Sequence, residues 1–154
     1  MINKNIFTTS SPGQTRKMGE LLAAELRGGE IVCLTGELGS GKTTFAQGAL
    51  KGLGAKGPYT SPTFVVMKRY KLKAQNSKRK TTTQSLKLSN AYHVDVYRVR
   101  PKDILDLGWG EVIDDKKNIV IVEWAERIRK IIPKRAIWIK FNHKGEDKRG
   151  IVFS

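Results

Sequence analysis

The stretch from Ile31 to Leu53 constrains this chain more than any other. Ile31 to Thr35 is a short run, apolar on both faces, which predicts a central strand covered on both sides. It runs directly into Gly36-Glu37-Leu38-Gly39-Ser40-Gly41-Lys42-Thr43, a full match to the phosphate-binding pattern G-x-x-x-x-G-K-S/T. Lys42 to Leu53 then reads as a helix closed by Gly54. Each part of that order has a physical role. The glycines let the backbone bend until successive N–H groups face one concavity. The helix start adds partial positive charge at the same place. Lys42 can reach the outer phosphates of a nucleotide, and the Thr43 hydroxyl can hold Mg²⁺.

The remaining elements fit around this centre. Gln14 to Leu26 reads as an amphipathic helix, capped by Ser10 or Ser11, with Pro12 near its start and Gly28-Gly29 after its end. Phe64 to Leu72 and Ala91 to Val99 predict an antiparallel pair of strands. Pro101 to Leu107 predicts a short helix opened by proline. Ile119 to Val122 predicts a second central strand, and Ala125 to Ile132 a helix stopped by Pro133. Ala136 to Asn142 and Gly150 to Ser154 predict a final hairpin. The fold class expected is α/β, a three-layer P-loop NTPase-like domain. Its central sheet should be mixed and mainly parallel, with an antiparallel hairpin. At 154 residues the chain is expected to form a single domain over 1–154.

Charge is distributed unevenly. Lys and Arg number 29 against 14 Asp and Glu, a formal net charge of +15, which favours polyanionic partners. No acid lies between Glu37 and Asp95, whereas Lys42, Lys51, Lys56, Lys68, Arg69, Lys71, Lys73, Lys78, Arg79, Lys80 and Lys87 all do. The polar, basic segment 73–90 is long for a hairpin connection and is expected to be a flexible insertion. Cys33 stands alone, so no intramolecular disulfide forms, and it should pack as a small hydrophobe. No secretory signal is visible in residues 1–10, and no apolar run approaches a membrane span. A soluble, cytoplasmic protein without a membrane role is the expectation.

A P-loop does not name a reaction. The chain has no N-K-x-D for reading guanine and no D-x-x-G, which argues against a GTPase. A second acidic group is needed at the end of a neighbouring strand. Glu123, which follows the run Ile119 to Val122, is the candidate, either for Mg²⁺ through water or for the attacking water, the plainer reading being a surface carboxylate that caps the strand. Asp95, within His93-Val94-Asp95-Val96-Tyr97-Arg98, sits where strand residues are expected and so asks for a reason. It is either a further ligand for metal or water, or a partner of Arg98 or a nearby lysine. Thr60-Ser61-Pro62-Thr63-Phe64 is a hydroxyl-rich loop placed where a switch segment often lies. Lys42 is expected to face solvent in the empty protein.

Four blocks, the P-loop at 36–43, Ser61 to Phe64, His93 to Arg98 and Val122 to Arg127, occur in this order. Together they resemble the TsaE (YjeE) family, small bacterial P-loop ATPases of tRNA threonylcarbamoyladenosine synthesis, over residues 10–142. The resemblance implies ATP and Mg²⁺ as cofactors and a TsaB–TsaD-type transferase complex as partner. It implies tRNA contact that is indirect or made through the basic 73–90 segment. It implies nucleotide binding by Glu37, Leu38, Gly39, Ser40, Gly41, Lys42, Thr43, Thr44 and Trp124. Thr43 and Glu123 would serve the metal, and Glu123 and Asp95 would act in catalysis. Ala125 stands where the family often has proline, and segment 73–90 is longer than the family's compact turn. Two other readings compete. One is a small-molecule kinase with Arg127, Arg129 and Arg135 as lid candidates, although a solvated helix face accounts for them as well. The other is an RNA-binding module built on the basic stretch, which lacks interleaved aromatics.

Overall fold

The computed structural model describes residues 5–72 and 87–154. Most of the basic segment 73–90 therefore lies outside the described residues. The elements are β1 (Asn5–Thr9), α1 (Pro12–Glu25), β2 (Ile31–Gly36), α2 (Lys42–Gly52), β3 (Met67–Lys71) and β4 (Asn90–Asp95). They continue with α3 (Pro101–Leu105), α4 (Trp109–Asp114), β5 (Asn118–Glu123), a 3₁₀ segment (Ala125–Ile131), β6 (Ile137–His143) and β7 (Arg149–Phe153). The strands form one seven-stranded sheet in the order β1-β7-β6-β2-β5-β4-β3. Its centre, β6-β2-β5-β4, is parallel, and the flanking pairs β1/β7, β7/β6 and β3/β4 are antiparallel. This is the α/β class with a mixed sheet.

Alternation along β2 and β5 makes the layers. Val32, Leu34, Ile119 and Ile121 belong to one core, shared with Phe45, Ala46, Ala49 and Leu50 of α2 and Ala23 of α1. Ile31, Cys33, Val120 and Val122 belong to the opposite core, with Ile104 of α3, Trp109 and Ile113 of α4, and Ile128. A two-residue period thus sends every second side chain to each covering layer. Cys33 is fully buried, as a small hydrophobe would be, and burial pushes its thiol up to about 12.

Several elements differ from expectation for local reasons. The strand expected from Phe64 begins only at Met67, because Val65 and Val66 donate back to the Pro62 carbonyl in a turn. The strand expected to reach Val99 ends at Asp95, whose Oδ1 accepts from the Tyr97 amide at 2.9 Å, an Asx turn. The expected helix after Glu123 is a 3₁₀ segment, with non-helical angles at Ile128 and an i→i+3 bond from the Arg127 amide to the Trp124 carbonyl. Helix α4 and edge strand β1 were not expected. Four of the five β1 residues are exposed, so it carries almost no burial pattern.

Helices α1 and α2 approach at Gly19 and Gly48. A Cβ on Gly48 would lie 1.9 Å from the Arg16 carbonyl oxygen, and one on Gly19 would lie 2.2 Å from that of Phe45. Both obstacles are backbone, so neither yields without moving a helix. Gly48→Ala is therefore expected to destabilise the fold by about 1–3 kcal/mol or more, read as a lower denaturant midpoint at unchanged m-value. An unchanged midpoint would mean that the helices separate freely.

Candidate functional site

Among the described residues, the buried Lys, His, Asp and Glu side chains are Lys42, His93, Asp95 and Glu123. Lys42, Asp95 and Glu123 line one cleft, and His93 lies behind it against Glu123. Burying ionisable groups is unfavourable unless they are paired, so the partners show what the fold maintains here.

The sheet places the acids. Asp95 of β4 is in register with Glu123 of β5, which in turn is opposite Leu34 of β2. Both acids lie at the carboxyl ends of parallel strands, beside the point where β2 turns into the glycine loop. They share a parity with Ile119 and Ile121, so they face the layer that holds α2. The loop itself ends in Gly41, whose φ of 107° is open to glycine but strained for other residues. From there α2 starts directly with Lys42 and Thr43.

Thr43 Oγ1 donates to Glu123 Oε1 at 2.6 Å, tying the start of α2 to the end of β5. Glu123 Oε2 lies 2.6 Å from His93 Nε2. Asp95 Oδ2 accepts from Thr63 Oγ1 at 3.3 Å, and Thr63 in turn bonds Ser61 at 2.7 Å. The hydroxyl-rich loop thus reaches the acid, and the Asp95 partners are Thr63 and the Tyr97 amide rather than Arg98.

Lys42 corrects its expectation. It is 4% exposed rather than solvent-facing. Its ammonium donates to the carbonyls of Gly36 at 2.5 Å and Glu37 at 2.8 Å, with Ser40 Oγ at 3.4 Å, and sits 4.0 Å from the centre of the Trp124 ring. Burial pulls its pKa below the ordinary lysine value, against the opposing pull of Glu123, Glu126 and Asp95. Trp124 itself holds a left-handed backbone, φ 61° and ψ 34°, a strain of order 1–3 kcal/mol that tends to gather at functional sites. That turn brings the indole over Lys42 and against Tyr97, ring centres 4.7 Å apart.

These groups line a cleft of about 560 Å³. Of the residues named from sequence, Leu38, Gly39, Gly41, Lys42, Thr43, Thr44, Asp95, Glu123 and Trp124 line it. Glu37 and Ser40 do not. Glu37 offers its carbonyl to Lys42, and the Ser40 amide closes a turn on that same carbonyl at 3.1 Å. Sequence reasoning missed Pro12 and Thr15 at the start of α1, Asp147 in the turn between β6 and β7, and Arg149 at the start of β7, all of which line the cleft. His93 was legible only as part of its block, with no role attached.

The donors suit a hard cation. Thr43 and Glu123 present a hydroxyl and a carboxylate 2.6 Å apart, with Asp95 beside them in register. Mg²⁺ is held by few protein oxygens together with phosphates, so this sparse oxygen set fits it. Among the described residues no group of three or more His, Cys, Asp or Glu is arranged to hold a metal. The arginines suggested for a kinase lid are mostly occupied elsewhere. Arg129 stacks 4.0 Å over Trp138 and Arg135 donates to the Ile113 carbonyl at 2.7 Å, while Arg127 lies 4.8 Å over Tyr97.

A family profile described as "Threonylcarbamoyl adenosine biosynthesis protein TsaE" matches residues 9–151. The chain belongs to the TsaE family. It is similar to the "tRNA threonylcarbamoyladenosine biosynthesis protein TsaE" of Bacillus subtilis, 34% identical over 96% of this chain and 84% of that protein. The protein of the same name from Rickettsia conorii is 32% identical over 94% of this chain and 74% of its own length. A crystal structure of Bacillus subtilis YdiB superposes with a TM-score of 0.71 at 28% identity, covering 99% of this chain and 86% of that one. No helix among the described residues is long and apolar enough to cross a membrane.

Lys42→Ala strands two loop carbonyls and is expected to destabilise the protein by about 1–3 kcal/mol, measured by thermal or urea unfolding without nucleotide. A wild-type melting curve would mean the ammonium is free to leave the loop.

Proposed function

We propose that this chain is a Mg²⁺-dependent ATPase of tRNA threonylcarbamoyladenosine synthesis, working in the cytoplasm with a TsaB–TsaD-type transferase complex. The observation that carries this reading is the Thr43–Glu123 hydrogen bond, which sets a phosphate-loop helix against an acidic strand end. In this reading the loop amides and the start of α2 receive the β- and γ-phosphates. Lys42, now held by the Gly36 and Glu37 carbonyls, would exchange them for phosphate oxygens. Thr43 and Glu123 would hold Mg²⁺, which when bound would supply neutralisation of the phosphate charge. Glu123 and Asp95 orient the attacking water. Leu38, Gly39, Gly41 and Thr44 shape the phosphate cradle, Glu37 and Ser40 complete its turn, and Trp124 covers the loop.

Asp95 adds a link to the hydroxyl loop. Its bond with Thr63 joins the acid to residues 61–63, so a change in that loop on nucleotide binding is transmitted to the water-orienting side. The TsaB–TsaD-type complex reads that change, and tRNA is met through the complex or through the basic 73–90 segment. Arg98 and Arg149 line the cleft, and in this reading the partner complex completes the charge stabilisation, so turnover depends on it.

Three outcomes test this. Lys42→Ala should abolish ATP binding by calorimetry in protein shown to be folded, and retained affinity would remove the phosphate site. Glu123→Ala and Asp95→Ala should lower turnover with partner present by on the order of 10²–10³-fold, with a much smaller change in nucleotide affinity. Full turnover in both would make the acids structural. The isolated chain should hydrolyse ATP about 10³–10⁵-fold more slowly than the partnered one, the size of a missing arginine's contribution. Equal rates would make it self-sufficient.

A further inference from the structure

Of the four buried Lys, His, Asp and Glu side chains, His93 has no part in the reading above. It does not line the cleft, and it is fully buried in β4. Its register partners are Lys68 of β3 and Ile121 of β5, which puts it on the diagonal to Glu123. There Nε2 meets Glu123 Oε2 at 2.6 Å, while the other oxygen, Oε1, accepts from Thr43 at 2.6 Å. A carboxylate only accepts, so Nε2 carries the proton in this pair. Nδ1 is then left buried without a hydrogen-bond partner. That is an unfavourable way to fill a core position. An apolar side chain of similar size would avoid it, so what the imidazole contributes is the Nε2 donor.

We propose that His93 is the positioning residue of the Mg²⁺ site, holding Glu123 by Oε2 so that Oε1 stays turned toward Thr43 and the cleft. The reading rests on the function proposed above. A glutamate has three rotatable bonds, and at a strand end it can swing away from the loop. With one oxygen fixed by a strand-borne imidazole, the other has a single direction left. An Nε2–H donor on a rigid, strand-borne ring orients the acid. Both partners are on paired parallel strands inside the sheet, where the geometry is held by the ladder rather than by a loop. Outer-shell donors of this kind typically change metal affinity by about 10- to 100-fold when removed.

The test compares Mn²⁺ binding, followed by electron paramagnetic resonance as a stand-in for Mg²⁺, in the presence of ADP. Wild type, H93A, H93M and H93Q are measured, together with ADP affinity in EDTA. The expected result is a loss of Mn²⁺ affinity of about 10- to 100-fold in H93A and H93M, with cation-free ADP affinity unchanged. H93Q, whose amide can reach Oε2, should recover most of the loss. Should H93A fail to fold, the Met and Gln variants, similar in size and differing in the donor, carry the same comparison. Wild-type Mn²⁺ affinity in H93M, or H93Q as weak as H93M, overturns the role of His93. Absence of Mn²⁺–ADP binding by the wild type overturns the proposed function itself, which keeps the two failures distinct.

Discussion

One hydrogen bond, from Thr43 to Glu123, joins the two halves of this molecule's chemistry. Thr43 opens α2, which packs on one face of the sheet, and Glu123 closes β5 in the middle of it. Eighty residues separate them in the chain. Their meeting follows from the strand order, since β2 delivers the glycine loop directly beside β5. The core between α2 and the sheet, with Phe45, Leu50, Leu34 and Ile121, fixes the distance from helix start to strand end. Stability and site are thus one construction. Packing that positions the helix also positions the hydroxyl that faces the acid.

Around that contact the fold keeps charge out of water. Lys42 is enclosed by loop carbonyls and an indole, and its burial is tolerated because Glu123, Glu126 and Asp95 pull in the opposite direction. The strained Trp124 backbone is part of the same enclosure, since the left-handed turn after β5 swings the ring over the ammonium. A lysine held in this way is preorganised at the mouth of the helix. Its present partners are neutral carbonyls, weaker acceptors than the oxygens of a charged phosphate group.

Much of this was legible in the sequence. Residues 31–53 combine a run buried on both faces, a glycine loop and a helix start, and each pattern has a local cause that tertiary packing did not override. Glu123 was legible because an acid directly after a buried run can only sit at a strand end. What was not legible depended on partners remote in the chain. The burial of Lys42 needs the Trp124 ring, and that ring is over it only because of a backbone turn no propensity announces. His93 looked like an ordinary strand residue until the register placed it diagonal to Glu123. Strand β1 and helix α4 were missed for opposite reasons. The first is an exposed edge with little pattern, and the second is six residues long, anchored by the buried Trp109 whose Nε1 donates to the Ile131 carbonyl at 3.0 Å.

Under the proposed function, this enclosure is the resting form of a nucleotide-phosphate site. A crystal structure of the chain with Mg²⁺ and a non-hydrolysable ATP analogue tests it most directly. The account predicts Lys42 Nζ withdrawn from the Gly36 and Glu37 carbonyls and bonded to β- and γ-phosphate oxygens, with the cation at Thr43 and Glu123. A nucleotide bound elsewhere, with Lys42 still held by the two loop carbonyls, would contradict it.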